Sequence, residues 1–304
     1  MHTLALAITN RCPLRCSFCC VPPGPGDLSE QLARQVVEDA IESRLFDNVG
    51  FTGGEPLLRL KLVEELGTRL SAANVRWGIT TGCGWAVSNR KVDSVIAALV
   101  NSGVNEVRVS VDDAHLKSKS ASYVPNFLEL LIKYNIPTTI ACTSNAGSTV
   151  PIFLPNSPLL KIEHHYISPA GFAKNNSGWA SSISFSEAKC PMLENFVLSV
   201  WPDGDVYPCC SPYVVNKSSE LFTGNVNKLS IDKILEMALD DPFLKVIRFF
   251  GFPALALKTA DLPAWVGIFN SRNLDSCHLC SKLCQGNFVA NARVRLNDEI
   301  SKFS

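Results

Sequence analysis

The sequence predicts an α/β protein: a partial (β/α)6 barrel of TIM-like design, followed by a small cysteine-rich α+β domain. Three observations predict it. Strand-like apolar runs alternate with amphipathic helical runs through the first two thirds of the chain. Glycine-rich, polar and cysteine-rich motifs recur just after the strands, the face that carries chemistry in barrel folds. After about Ser182 the alternation stops, and cysteines return among proline and glycine turns. A boundary near 180–187 is expected, with domains at 1–182 and 183–304.

The elements follow in order. Leu4–Thr9 reads as a strand, and Ser29 opens a helix whose Leu32, Val36, Val37, Ala40 and Ile41 keep a 3.6-residue rhythm. Asn48–Thr52 is a strand that runs into Gly53-Gly54-Glu55-Pro56. Leu60–Ala73 is a helix, Val75–Thr80 a strand, and Lys91–Asn101 a helix stopped by Gly103. Val104–Val111 is a strand that ends in Asp112-Asp113. Asn126–Tyr134 is a helix, Ile136–Cys142 a strand, and Lys161–Ile167 a sixth strand closed by Ser168-Pro169-Ala170-Gly171. Repeated β-α units imply a parallel sheet with helices outside. Further on, Phe196–Trp201 and Asp205-Val206 flank an Asp203-Gly204 turn and read as a hairpin. Ile231–Ala238 and Phe243–Phe250 read as helices.

Composition narrows the function classes. The 304 residues are 46% hydrophobic, enough for a large core. Lys+Arg and Asp+Glu are both 28, so no broad basic footprint points to nucleic acid. The apolar runs are too short to span a bilayer and no secretion signal is evident, so a cytoplasmic protein with no membrane partner is expected. In a reducing compartment, 12 cysteines point to metal or redox chemistry rather than disulfides.

Cys12, Cys16 and Cys19 form a C-x3-C-x2-C set directly after the first strand. Three thiolates leave one iron of a four-iron cluster open to a further ligand. The spacing, with Phe18 before the last cysteine, resembles the radical S-adenosylmethionine (SAM) enzymes. Gly53-Gly54-Glu55-Pro56 is similar to that family's turn after the second strand, and Ser110-Val111-Asp112 to its ribose-side motif. Pro169-Ala170-Gly171-Phe172-Ala173 resembles a segment after the sixth strand, with Phe172 where relatives often carry arginine. The resemblance covers roughly residues 3–175. It implies a SAM-binding [4Fe-4S] cluster on Cys12, Cys16 and Cys19. It also implies a SAM site made by Phe18, Gly53, Gly54, Glu55, Pro56, Ser110 and Asp112. One electron from an external reductant would cleave SAM to a 5′-deoxyadenosyl radical, which takes a hydrogen atom from substrate.

A second cysteine set follows. Cys190, Gly204 and Cys209, then Cys277, Cys280 and Cys284, are similar to the SPASM/twitch extension, which holds auxiliary iron–sulfur clusters. Two fully protein-held clusters need more cysteines than this, so one auxiliary [4Fe-4S] cluster is expected. Cys190 and Cys209 would ligate it; which two of Cys277, Cys280 and Cys284 join them stays open. A structural zinc site, with His278 as a ligand, is the competing reading of the C-x2-C pair.

Cys210, Cys83, Cys142 and Cys20 are not needed as ligands. A thiol near a carbon radical can return a hydrogen atom and complete an epimerisation. Cys210 is the first candidate donor and Cys83 the second; small buried hydrophobes are the plain alternative. His115 can contact SAM or act as a base, and one of His164 and His165 should face the barrel interior. The chain begins at the first barrel strand, so recognition falls to the barrel mouth, the auxiliary domain or a separate peptide-recognition protein. The expected substrate is a peptide or a small natural product. The expected outcome is epimerisation, or oxidative cross-linking or dehydrogenation. The alternative class is a non-catalytic iron–sulfur or zinc protein serving assembly or electron transfer.

Overall fold

The computed structural model describes residues 1–20, 24–144, 154–167, 172, 184–211, 220–266, 268, 275–284 and 286–300. The chain forms two compact units. One comprises His2–Ala180 with Val200–Gly204, the other Met1, Ser181–Ser199 and Asp205–Ser304.

The first unit is the partial barrel. Strands β1 (His2–Thr9), β2 (Asn48–Gly53), β3 (Arg76–Thr81), β4 (Glu106–Ser110), β5 (Thr138–Ser144) and β6 (Leu160–Tyr166) lie side by side in chain order. Every neighbouring pair is parallel. Helices α1 (Glu30–Ser43), α2 (Leu60–Ala72) and α3 (Asn89–Asn101) make the first three crossovers. Between β4 and β5 come the single turn α4 (Asp113–Leu116) and helix α5 (Val124–Lys133). The hydroxyls of Ser29 and Ser88 accept from Leu32 N at 3.1 Å and Lys91 N at 3.2 Å, satisfying orphan amides at the starts of α1 and α3.

Alternation sorts the strands into two faces. Leu6, Phe51, Trp77, Ile79, Val109 and Ile140 are buried on one face. Helix α2 packs there so closely that a Cβ on Gly67 would sit 2.5 Å from the Trp77 ring. Each such large side chain withdrawn from water stabilises the fold by roughly 1.5–3 kcal/mol. The opposite face carries small and polar residues. Ala5, Gly50, Gly78 and Glu106 align across β1 to β4, and Thr80, Arg108, Thr139 and Lys161 across β3 to β6. His165 lies on this second face, two residues beyond Glu163. His164 pairs in register with Cys142 on the first face.

Strand β4 begins later than the apolar run predicts. Asn105 instead closes a turn on Trp77: its side-chain oxygen accepts from Trp77 N at 2.8 Å, and its own amide donates to Trp77 O at 3.0 Å.

In the second unit β7 (Phe196–Val200), β8 (Asp205–Tyr207) and β9 (Gly224–Asn225) are adjacent in that order, with β8 and β9 antiparallel. Helices α6 (Ile231–Asp240), α7 (Pro242–Phe249), α8 (Gly251–Thr259), α9 (Ser276–Leu283) and α10 (Phe288–Ile300) complete it. Trp265 is buried, with Phe185 and Phe288 edge-on at 5.9 and 5.7 Å. Helix α8 escapes the periodicity reading because Phe252–Leu257 is apolar on every side. Its Pro253 sits in the first turn, where a missing amide costs nothing.

Candidate functional site

The loop after β1 brings Cys12, Cys16 and Cys19 together. Cys19 N donates to Cys16 O at 3.0 Å, a tight turn between the last two thiols. Burial pushes the Cys12 thiol up to about 11, and the neighbouring Glu55, Cys16 and Cys19 add to the rise. Three half-buried thiols on one short loop are a ligand set suited to a metal cluster.

The loop is held from below by the end of β2. Gly54 N donates to Thr9 O at 2.6 Å and Glu55 N to Arg11 O at 2.8 Å. A Cβ on Gly53 would lie 2.2 Å from Thr9 O, and one on Gly54 2.3 Å from Arg11 O. Gly53 also has φ +126°, in the region that favours glycine. The sequence reading reserves these glycines for close approach of a ligand. The structure shows that the protein's own backbone at Thr9–Arg11 already requires them.

Glu55 is likewise engaged by the protein itself. Its carboxylate is wholly buried and turned inward. It accepts from Thr81 Oγ1 at 2.9 Å, Gly82 N at 3.0 Å and Leu57 N at 3.2 Å. Burial raises its pKa to about 7 against those hydrogen bonds. Glu55 thus ties the end of β2 to the end of β3. Pro56 opens the short helical turn Pro56–Arg59 and is buried.

The end of β4 supplies the opposite wall. Asp112 caps α4, with Oδ1 accepting from Ala114 N and His115 N, each at 3.1 Å, and from His115 Nδ1 at 2.8 Å. Its other oxygen, Oδ2, is buried without a partner among the described residues. A buried acceptor left empty is costly unless a ligand donor fills it. His115 Nε2 lies 3.6 Å from Cys16 Sγ, and its ring is 5.9 Å from that of Phe18. Burial opposes charge on His115, but Asp112 and Cys16 outweigh it and raise the pKa to about 9. Asp112, His115 and Cys16 therefore form one chain from β4 to the cysteine loop. Asn10 Oδ1, next to that loop, is a second buried acceptor without a partner among the described residues. Ser110 ends β4 one position before Val111, whose amide continues the pairing to Ala141 O.

Of the segment after β6, only Phe172 lies among the described residues. Its amide donates to Cys19 O at 2.9 Å and its ring is half exposed, so the residue found in place of arginine still braces the cysteine loop.

Cys83 and Cys142 are also repositioned. Cys83 is fully buried behind the loop, with φ +58° and its thiol pushed far up by burial. Such a thiol cannot reach a substrate. Cys142 is buried on the helix-facing side of β5, where burial again raises its pKa.

The second unit gathers the remaining cysteines. Cys190 is fixed beside α7 by its amide, which donates to Ile247 O at 2.9 Å. Cys209 follows β8, and its carbonyl accepts from Ser199 Oγ at 2.6 Å. Cys277 and Cys280 lie on α9 and Cys284 caps its end, so C-x2-C-x3-C is a helical i, i+3, i+7 stripe. The sequence reading missed that helix, although the spacing itself signals it. Burial lifts the Cys190 thiol to about 11 and the Cys277 thiol to about 12, and raises Cys209 further. Cys280 and Cys210 each add to the rise of Cys190, Cys209 and Cys277, which places the five in one neighbourhood. Cys284 Sγ is 3.8 Å from Cys280 Sγ. Among the described residues, no three ligating groups converge as a single-ion cage. Cys210 alone of the cysteines is exposed.

With this geometry in hand, comparison with known proteins is decisive. Residues 6–145 match the radical SAM superfamily, and residues 190–249 match SPASM, an iron–sulfur cluster-binding domain. The chain is a radical SAM protein with a C-terminal SPASM domain. YydG of Bacillus subtilis (strain 168), a protein named for peptide biosynthesis, is 22% identical over 264 residues, covering 82% of this chain and 81% of its own. The GTP 3′,8-cyclase of Streptomyces coelicolor is 32% identical over 117 residues, 36% of this chain and 32% of its own. The fold is shared with BtrN in complex with AdoMet and 2-DOIA, at TM-score 0.52, 15% identity and coverage of 81% and 86%. It is shared also with anSMEcpe bound to AdoMet and Cp18Cys peptide, at TM-score 0.50, 15% identity and 99% coverage of both chains. The cofactors of this radical SAM protein are therefore SAM and iron–sulfur clusters. The residues present fit them: a thiol triad, a buried open carboxylate oxygen and a second thiol cluster. No helix among the described residues is long and apolar enough to cross a membrane.

Proposed function

We propose that this radical SAM enzyme epimerises a residue in a peptide substrate. Similarity to YydG over 82% of this chain supports a peptide, and Cys210, the one exposed cysteine, supports epimerisation. Cys12, Cys16 and Cys19 would hold the SAM-binding cluster, which, with SAM and one electron from an external reductant, would supply the radical chemistry that removes a substrate hydrogen.

The chain's residues do the rest. Asp112 Oδ2 and Ser110 accept ribose hydroxyls, and the Phe18 ring offers an apolar surface. His115 donates toward Cys16 and holds Asp112 in place. The Gly53–Pro56 turn fixes the loop height, with Glu55 as its brace. Cys190, Cys209, Cys277 and Cys280 hold one auxiliary cluster; Cys284 contacts Cys280 and packs. The Cys210 thiol gives its hydrogen atom to the substrate radical, breaking S–H and forming C–H with inverted configuration. The resulting thiyl regains one electron and one proton from an external reductant and solvent. A separate peptide-recognition protein can deliver the substrate.

The observation that carries this reading is the contrast between exposed Cys210 and buried Cys83. Turnover in deuterated water tests it. Epimerisation places one solvent-derived deuterium in the product, and Cys210→Ala removes it. A product lighter by two hydrogens, with no deuterium, would replace this reading with oxidative dehydrogenation or cross-linking.

A further inference from the structure

The second unit buries a charge that its own fold does not balance. Arg248, on α7, is 6% exposed. Its guanidinium carbon lies 4.4 Å from the centre of the Phe196 ring and 5.3 Å from that of Phe249. Nε donates to Met192 O at 3.0 Å. No carboxylate pairs with it among the described residues. The better-exposed Arg108 and Arg293 are each paired, with Glu163 and Asp241 at 2.7 Å. A guanidinium withdrawn from water without an anion is costly, and folds seldom keep one unless something negative faces it.

The segment Arg248 is bound to carries Cys190, the first thiol of the second cysteine set. Cys190 donates its amide to Ile247 O at 2.9 Å, which seats it against the turn that carries Arg248. A second bond ties the same two segments: Arg248 Nε donates to Met192 O at 3.0 Å, two residues past Cys190. Arg248 is thus a permanent positive charge at the edge of the only buried thiol cluster described in this unit.

We propose that Arg248 is the counter-charge of the group held by Cys190, Cys209, Cys277 and Cys280, and that it raises that group's reduction potential. This rests on reading those cysteines as iron–sulfur ligands. Four thiolates around an iron–sulfur cluster leave a net negative charge, which one-electron reduction increases. A fixed cation in a low-dielectric site stabilises the reduced form more than the oxidised one. Arginine suits the place because its planar guanidinium stacks on aromatic rings. Arg248 is a positioning residue in this account: it touches no substrate.

The test uses the full chain with Cys12, Cys16 and Cys19 replaced by alanine, so that only the auxiliary cluster titrates. Protein reconstituted with iron and sulfide is titrated anaerobically with dithionite and followed by electron paramagnetic resonance. In that background Arg248→Met is expected to lower the equilibrium constant for reduction at least tenfold, a drop of about 59 mV. Arg248→Lys, which keeps the charge, stays within threefold of the parent. Full iron content with an unmoved potential in Arg248→Met overturns the inference alone. Parent protein that takes up no iron overturns the ligand reading and the inference with it. Should Arg248→Met fail to hold a cluster, the metal-free proteins decide. Metal-free Arg248→Met should melt no lower than its metal-free parent, because an unbalanced charge has gone. A metal-free variant that melts well below it makes Arg248 a packing residue and overturns the proposal.

Discussion

Gly54→Ala should dismantle the cysteine loop without touching a cysteine. The added Cβ would lie 2.3 Å from Arg11 O, 2.7 Å from Arg11 C and 2.8 Å from Asn10 C, where ordinary contact begins at 3.4 Å. The gap must widen by 3.4 − 2.3, about 1 Å. All three clashing atoms are backbone, so no side chain can swing away. Widening breaks the bonds from Gly54 N to Thr9 O and from Glu55 N to Arg11 O, now 2.6 and 2.8 Å. Two hydrogen bonds at roughly 1 kcal/mol each, with overpacking of about 1–3 kcal/mol, give a loss of ~3–5 kcal/mol. At roughly 2–4 °C per kcal/mol for a unit of this size, the melting temperature falls by at least ~6 °C. Thermal unfolding of reconstituted protein, with iron content per chain and SAM binding on the same samples, is the assay. Gly50→Ala is the control, since nothing lies within 4 Å of its would-be Cβ; it should melt with the parent. A Gly54→Ala protein with parental melting temperature, iron and SAM affinity would refute the claim that backbone contact demands this glycine.

Other outcomes follow from the same geometry. Asp112→Asn keeps a cap for α4 but puts an amide where Oδ2 now waits as a bare acceptor. It should weaken SAM binding about tenfold, for one charged hydrogen bond of ~1.5 kcal/mol, as read by calorimetry. Glu55 has a folded pKa of about 7 against an ordinary 4.5. Because the folded value is raised, its stabilising effect is full below pH 4.5 and fades as pH rises through 7. Metal-free protein should therefore lose roughly a few kcal/mol across that window, and Glu55→Gln should flatten the profile in a pH series of denaturant melts. Cys83→Ser should leave deuterium incorporation into product intact while lowering stability, because a polar hydroxyl replaces a fully buried thiol. Cys210→Ala should do the reverse.

Much of this site is legible along the chain, because it lies where strands end. Cys12, Cys16, Cys19, Gly53, Gly54 and Asp112 all lie at or just after the end of a strand of clear apolar periodicity, and resemblance to the radical SAM motifs picks them out. What spacing cannot carry is the neighbour that each side chain meets. Glu55 turns inward because Thr81, 26 residues away, ends the adjacent strand at hydrogen-bonding distance. His115 reaches Cys16 across 99 residues, a link that no local pattern holds. Cys83 sits after β3 as its position implies, but the turn at Gly82–Gly84 packs against Leu14 and Pro13 and seals it. On the auxiliary side the i, i+3, i+7 cysteine stripe is written in the sequence, but Ser276, Cys277, His278, Cys280 and Ser281 are weak helix formers, so propensity does not announce α9. Arg248 shows the opposite case. Nothing in its neighbourhood of sequence marks it, and only burial without a carboxylate makes it conspicuous.

The SAM-cleaving centre proposed for the three thiols after β1 and the walls from β2 and β4 stands or falls on its product. Its most direct measurement is 5′-deoxyadenosine formed from SAM by the anaerobically reconstituted, dithionite-reduced chain. The account predicts 5′-deoxyadenosine from the parent and none from the protein with Cys12, Cys16 and Cys19 replaced by alanine. Iron-replete parent protein that leaves SAM intact would contradict it and return the chain to a non-catalytic iron–sulfur role.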